Sequence, residues 1–206
     1  MDKKTLLIGI AGGSASGKSS LARVIKENIG ENISIINQDS YYHDLSNISM
    51  LERSKTNFDH PDSIDFILMK KQLENIVQGL TVEIPIYDYK SHTRTNKKQK
   101  INNQNIIIFE GILTLFDSDV RKLLDIKIFV DTEADLRVIR RIKRDLLKRK
   151  RTLDSIITQY HETVRPMYKK FVKPTKSYAD IIIPNGSHNN VAIDLILTKI
   201  KSYIDN

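Results

Sequence analysis

The segment Gly12-Gly13-Ser14-Ala15-Ser16-Gly17-Lys18-Ser19 fills every fixed position of the pattern G-x-x-x-x-G-K-[ST], and it constrains the fold more than any other feature. Glycines at this spacing let backbone N–H groups converge on one point, where an anion can be cradled. An apolar run from Leu6 to Ile10 precedes it and helical spacing from Ser19 to Ile29 follows, so the loop joins a buried strand to a helix N-terminus. In that setting Gly12, Gly13, Ser14, Ala15, Ser16 and Gly17 wrap the phosphates of a nucleotide. Lys18 reaches the outer ones, Ser19 offers its hydroxyl to Mg2+, and Ser20 continues the first turn of the helix.

Four further apolar runs of strand length follow, at Ile33–Ile36, Ile106–Phe109, Ile126–Val130 and Ile181–Ile183. Each is continuous, which predicts burial on both faces. Helical spacing occurs at Ile64–Val77, Glu133–Leu147, Leu153–Tyr168 and Val191–Ile204. Strands alternating with helices predict an α/β fold, a five-stranded parallel sheet flanked by helices, with ligands at the carboxyl ends of the strands. The stretch from Thr81 to Asn103 departs from this rhythm. Its alternating Thr-Val-Glu-Ile-Pro-Ile-Tyr and polar tail predict a protruding hairpin, a flap over about 81–104.

At 206 residues, 40% of them apolar, the chain is expected to form one domain, residues 1–206. No apolar run approaches the roughly 20 residues of a membrane helix, so no membrane partner is expected. Lys3 and Lys4 precede an apolar stretch, but that stretch ends at the glycine-rich segment and not at a cleavage site, which argues against a signal peptide. With no cysteine there is no disulfide framework and no thiolate zinc site, and a cytoplasmic address is permitted. The five histidines show no metal-ligand spacing.

The net charge of +8 is local: nine basic residues and one acid lie between Arg137 and Arg151, and the remainder of the chain is balanced. A nucleic-acid binder spreads its basic footprint over a face, so no nucleic-acid partner is expected; a compact arginine cluster suits the phosphates of a nucleotide, or is a solvated helix face. Arg137, Arg140, Arg141, Arg144 and Lys148 recur at three- and four-residue spacing, while Leu136, Ile139, Ile142 and Leu146 mark a different face. An amphipathic helix with one cationic side, over about 133–151, is the expected lid of a phosphoryl-transfer site.

Phosphoryl transfer also needs acids. Glu110 ends the apolar strand Ile106–Phe109 and is the candidate partner of Ser19 at the metal, or else a loop acid. Asp39 stands just beyond the second strand and is a candidate base for an acceptor hydroxyl, or else a helix cap. GTPases share the phosphate loop but need D-x-x-G and N-K-x-D; no glycine has Asp three residues before it, and Asn96-Lys97-Lys98-Gln99 ends in Gln. The chain is too short to couple hydrolysis to movement as a motor does. A small-molecule kinase remains, with a non-catalytic nucleotide-binding regulator as the alternative.

Several strings, taken in order, carry a family resemblance: the phosphate loop, Asp39-Ser40-Tyr41-Tyr42, Asn57-Phe58-Asp59-His60-Pro61-Asp62, Tyr87-Asp88-Tyr89-Lys90-Ser91-His92-Thr93-Arg94, Phe109-Glu110-Gly111-Ile112, Arg140 to Asp145, and Gln159-Tyr160 with Thr163 to Tyr168. Over about Leu6 to Ile204 the chain resembles the uridine kinase (uridine-cytidine kinase) family. The resemblance implies transfer of the γ-phosphoryl of ATP or GTP to the 5′-hydroxyl of uridine or cytidine, giving UMP or CMP in pyrimidine salvage. It implies Asp39 as general base and metal neighbour, with Ser19 and Glu110 completing the Mg2+ site. Asp59 would hold the ribose hydroxyls. Tyr42, Phe58, Tyr87, Tyr89 and His92 would line the nucleoside pocket, His92 on the pyrimidine edge. Arg141 and Arg144 would be lid arginines, Arg149 the lid's end, and Gln159 a nucleoside contact. It further implies a homotetramer, often inhibited by CTP. Two departures stand out: Lys150 replaces a glycine common at the end of the lid, where glycine reaches angles that lysine adopts only at a cost, and Tyr89 carries a hydroxyl where Phe is common. A kinase of a related group, acting on pantothenate or a phosphoribulose, is the alternative acceptor reading.

Overall fold

The computed structural model describes residues 5–102 and 104–204; Lys3, Lys4 and Asn103 lie outside them. Five parallel strands form the main sheet: β1 (Leu6–Gly12), β2 (Ile33–Asn37), β5 (Ile106–Glu110), β6 (Ile126–Asp131) and β7 (Ile181–Pro184), in the spatial order β2-β5-β1-β6-β7. Strands β3 (Val82–Asp88) and β4 (Thr93–Ile101) pair antiparallel as a separate hairpin. The longer helices are α1 (Lys18–Ile29), α3 (Phe66–Val77), α5 (Ala134–Arg149) and α8 (Asn190–Ile204). Shorter ones are α2 (Met50–Ser54), α4 (Ser118–Leu123), α6 (Leu153–Gln159) and the single turn α7 (Arg165–Met167).

Branched aliphatic residues dominate the central strands because these are covered on both faces. Alternate side chains of β1 enter two cores. Leu7 and Ala11 pack with Phe109 and Phe129, with Met69 and Leu73 of α3, and with Ile84 of the hairpin. Leu6, Ile8 and Ile10 pack with Leu21 and Ile25 of α1 and with Ile196 and Ile200 of α8. The helices that steady these faces begin at side-chain caps: Ser49 with Glu52 forms a capping box at α2, Asp65 caps α3, Asp117 caps α4 and Thr152 caps α6.

Two sequence expectations need correction. The continuous runs of β2 and β7 are not buried on both faces; they are the edge strands, and Ile181 and Ile182 are exposed. A run of branched residues fits an edge strand as well as a central one, so continuity alone does not reveal position. The expected single helix from Leu153 to Tyr168 ends its regular winding at Gln159, and the chain continues through π turns at 160–164 and 168–172. Pro166 lacks an N–H and crowds the preceding turn, which interrupts an α-helical ladder at this point. Helix α5 turns its cationic side inward, as the lid reading expects: Arg137, Arg141 and Asp145 are buried, while Leu136, Ile139, Leu146 and Leu147 are exposed.

Candidate active site

β1 runs into the phosphate loop at Gly12, whose φ of 144° and whose close neighbour, the Val130 carbonyl (2.5 Å from where a Cβ would stand), admit only glycine. The loop turns through Ala15 and Gly17, both at positive φ, and opens α1. That helix start has no side-chain cap and no acid in its first turn. Its amides and the positive end of its dipole are therefore left for an anion. Ser16 Oγ is buried in the same loop without a hydrogen-bond partner. Lys18 folds back, Nζ donating to the Gly13 carbonyl at 3.1 Å. Burial lowers the Lys18 pKa, and the charges of Glu110 and Asp39 oppose that shift.

The parallel register sets Ile10 beside Glu110, which brings the end of β5 to the start of α1. Ser19 Oγ donates to Glu110 Oε1 at 2.7 Å across ninety-one positions of sequence. Burial pushes the Glu110 carboxyl up, while Lys18 and the Ser19 hydroxyl pull it down. Asp39 lies in the turn Gln38–Tyr41 directly after β2. Its carboxylate does not cap that turn; Oδ2 accepts from the Tyr89 hydroxyl at 2.9 Å. A hydroxyl and two carboxylates at the mouth of a phosphate loop are a hard oxygen set, the kind Mg2+ takes when substrate phosphates and water supply the other ligands. The donor set fits that ion.

Across from the phosphate loop, the rings of Tyr42, Phe58 and Tyr87 meet edge-to-face, at 5.1 Å for Tyr42–Phe58 and Tyr42–Tyr87 and 6.1 Å for Phe58–Tyr87. His92 stacks on Phe58 at 5.0 Å and 13°, held at the hairpin's tip with φ 54°. Burial lowers the His92 pKa, which favours the neutral ring, one nitrogen donating and one accepting. Asp59 sits within reach of the Arg141 charge; burial raises its pKa and Arg141 opposes the rise. Arg94 fastens the hairpin to this wall, donating to the carbonyls of Tyr42 (2.9 Å) and Tyr41 (3.3 Å) and to Asp65 (3.2 Å).

Helix α5 closes the third side. Arg141 donates to Ser14 Oγ of the phosphate loop at 2.7 Å and to Gln159 Oε1 at 2.8 Å, so the carboxamide expected at the nucleoside is engaged by an arginine. Arg151 also donates to Gln159 Oε1. Arg149 lies over the Tyr89 ring, 5.0 Å from its centroid. Lys150 adopts φ 53° and ψ 36°, the left-handed conformation a glycine would take without cost, and so turns the chain back through a lysine backbone.

Sequence reasoning missed Asp145 as a member of this group. It is fully buried, with Arg144 Nε at 2.8 Å, Arg149 Nε at 3.6 Å, Arg141 Nε at 3.7 Å and Arg151 Nη1 at 4.0 Å. Its backbone carbonyl also accepts from the Lys150 and Arg151 amides. Four-residue spacing to Arg141 and Arg149 was the available signal. Arg137, on the cationic face of the lid helix but given no role of its own by the sequence, lies against Gly13, stacks over Tyr168 at 4.0 Å and donates to the Thr132 carbonyl at 3.0 Å. Loop, acids, aromatic wall and arginines line one cleft of about 1550 Å³. It joins a cradle for polyphosphate to a slot for a flat ring, with Asp39 between them. An acceptor hydroxyl held there can meet a terminal phosphoryl with a base beside it.

The chain is similar to known proteins in sequence and in fold. The chain is 52% identical to a uridine kinase of Streptococcus agalactiae serotype III over 206 residues, covering all of the chain and 99% of that protein. It is 49% identical to a uridine kinase of Lactobacillus helveticus, covering 98% and 97%. Among solved structures, a phosphoribulokinase from Rhodobacter spheroides superposes with a TM-score of 0.68 at 16% identity, covering 89% of this chain and 71% of that one. A D-glycerate 3-kinase from Cryptococcus neoformans does so at 0.61 and 15%, covering 82% and 79%. These two show the fold alone. The model of the phosphoribulokinase / uridine kinase family matches residues 7–192, and the chain belongs to that family.

Proposed function

We propose that this chain is a uridine kinase, transferring the γ-phosphoryl of ATP or GTP to the 5′-hydroxyl of uridine or cytidine. The observation that carries the reading is the place of Asp39, between the Ser19–Glu110 pair and the ring cluster of Tyr42, Phe58 and Tyr87. Relatives at about half identity over the whole chain bear the name uridine kinase. The pyrimidine lies against the aromatic wall with His92 on its polar edge, and Asp59 accepts from the ribose hydroxyls. Asp39 takes the proton of the 5′-hydroxyl as its oxygen bonds to the γ-phosphorus. The bond from that phosphorus to the bridging oxygen breaks, and the nucleoside diphosphate leaves toward Lys18 and the loop amides. Arg141 and Arg144 stabilise the charge on the moving phosphoryl, with α5 acting as a lid and the β3–β4 hairpin as a flap. Ser19 and Glu110, with Asp39 adjacent, are the residues that would hold Mg2+, which supplies charge neutralisation across the outer phosphates. The reading includes a single domain, a homotetramer and a role in pyrimidine salvage in the cytoplasm.

The test is to incubate the protein with ATP, Mg2+ and a panel of nucleosides, pantothenate and ribulose 5-phosphate, and to identify products by mass. UMP and CMP are expected; a product from another acceptor only would refute the assignment. Asp39→Asn should still bind ATP while kcat falls at least about 100-fold; near-normal turnover would remove Asp39 as the base.

A further inference from the structure

Asp39 receives one hydrogen bond that phosphoryl transfer does not by itself require. Tyr89 Oη donates to its Oδ2 at 2.9 Å, a contact between the hairpin and the turn after β2, fifty positions apart. The phenol is the donor and the carboxylate, which has only acceptor oxygens when ionised, is the acceptor. The same ring has a second engagement: the Arg149 guanidinium lies over its face, 5.0 Å from the centroid, and Arg149 comes from the end of α5, beside the left-handed turn at Lys150. Tyr87, two residues earlier on the hairpin, meets the Tyr89 ring edge-on at 5.7 Å and 80°. Tyr89 therefore belongs to the aromatic wall through its edge, to the arginine-rich helix through its face and to Asp39 through its hydroxyl.

A carboxylate that works as a base is effective when one oxygen is held and the other is offered. We propose that Tyr89 is a positioning residue: its hydroxyl fixes Oδ2 of Asp39 so that Oδ1 is presented to the acceptor hydroxyl, and its ring seats Arg149, linking the base to the arginine helix through one side chain. The proposal rests on the reading of Asp39 as the base. It gives the hydroxyl at position 89 a task at the carboxylate and none on the pyrimidine. A phenylalanine there would keep the seat for Arg149 and the edge contact with Tyr87, and lose only the anchor on Oδ2.

Two substitutions separate the functions of the side chain. Tyr89→Phe should lower kcat for uridine about tenfold, the scale of one hydrogen bond to a charged group, with KM for uridine and for ATP each within about threefold of the parent enzyme. Tyr89→Leu, which also removes the ring face, should lower kcat at least as far and raise KM for ATP as well, because Arg149 loses its seat. In an Asp39→Asn background, measured in single turnovers, Tyr89→Phe should change the residual rate less than twofold, since the hydroxyl acts through the missing charge. A Tyr89→Phe enzyme with kcat within twofold of the parent overturns the proposal. So does a rise in uridine KM that matches the fall in kcat, which would place the hydroxyl on the nucleoside, and so does a further tenfold loss in the Asp39→Asn background. The parent enzyme in the same assay keeps the two readings apart. If it phosphorylates no nucleoside, the functional reading fails; if it does and Tyr89→Phe is unaffected, only the role of Tyr89 fails.

Discussion

Replacing Asp145 by Asn removes one charge at constant shape from the centre of four guanidinium groups. Before the change, the carboxylate is fully buried and Arg141 is nearly so, at 6% side-chain exposure, while Arg144, Arg149 and Arg151 are 33%, 37% and 27% exposed. Those three can regain water; Arg141 cannot. The loss is therefore close to that of one stranded buried charge, about 3 kcal/mol, and not a multiple of it. For a chain of this size that is a fall of about 6–12 °C in Tm, read by thermal unfolding of parent and Asp145→Asn at pH 7. The pH dependence follows from the same geometry. Burial raises the Asp145 pKa, but Arg144, Arg141 and Arg149 together outweigh it and hold the carboxyl below the usual range. A depressed folded pKa stabilises the fold above the unfolded value of about 3.9, and that stabilisation is lost as pH falls through the folded pKa. The gap between the two proteins should thus be constant from pH 6 to 8 and close below about pH 4. A Tm for Asp145→Asn within about 2 °C of the parent at pH 7 would refute the argument that the carboxylate organises these arginines.

Lys150→Gly removes the left-handed lysine at the end of α5 at the cost of extra freedom in the unfolded chain, and should raise Tm by about 1–3 °C; a fall in Tm would show that the lysine side chain itself holds the turn. Gly111→Ala places a methyl group into Gln38, whose Oε1 accepts from the Leu113 amide at 2.8 Å. Since Gln38 precedes Asp39, steady-state kinetics should show kcat reduced at least about tenfold, with about 1–3 kcal/mol lost in denaturant unfolding. His92→Ala should raise KM for uridine about tenfold, the value of a hydrogen bond with its stacking, and leave KM for ATP within about twofold. An equal effect on both substrates would place His92 outside the acceptor slot.

What could be read from the sequence depended on how local its cause was. The phosphate loop is specified by contiguous residues with fixed backbone demands, and the strand, loop and helix around it stand where the pattern puts them. The five sheet strands were legible because branched runs are short and bounded, but their neighbours were not, since pairing is decided by tertiary contact; hence the exposure of β7 was missed. Helices α2 and α4, five and six residues long, carry too few turns to show a period. In the site, Ser19 and Glu110 could be paired from the topology of a parallel sheet. The partners of Gln159 and of the Tyr89 hydroxyl could not, because each depends on how a loop or hairpin leans against the sheet. The two faces of α5 were legible from periodicity, and the arginine side turns inward because it lines a charged cleft.

The β3–β4 hairpin forms no ladder with the five-stranded sheet and is held to the body largely through Arg94, through Arg53 at Ser91, and through apolar packing on α3 and the turn after β2. On the proposed reading, the phosphate loop and part of the acceptor pocket, Tyr87 and His92, thus lie on different pieces of chain. On that reading, changes at hairpin positions other than Tyr89 can accumulate without touching the registers that align Ser19 with Glu110.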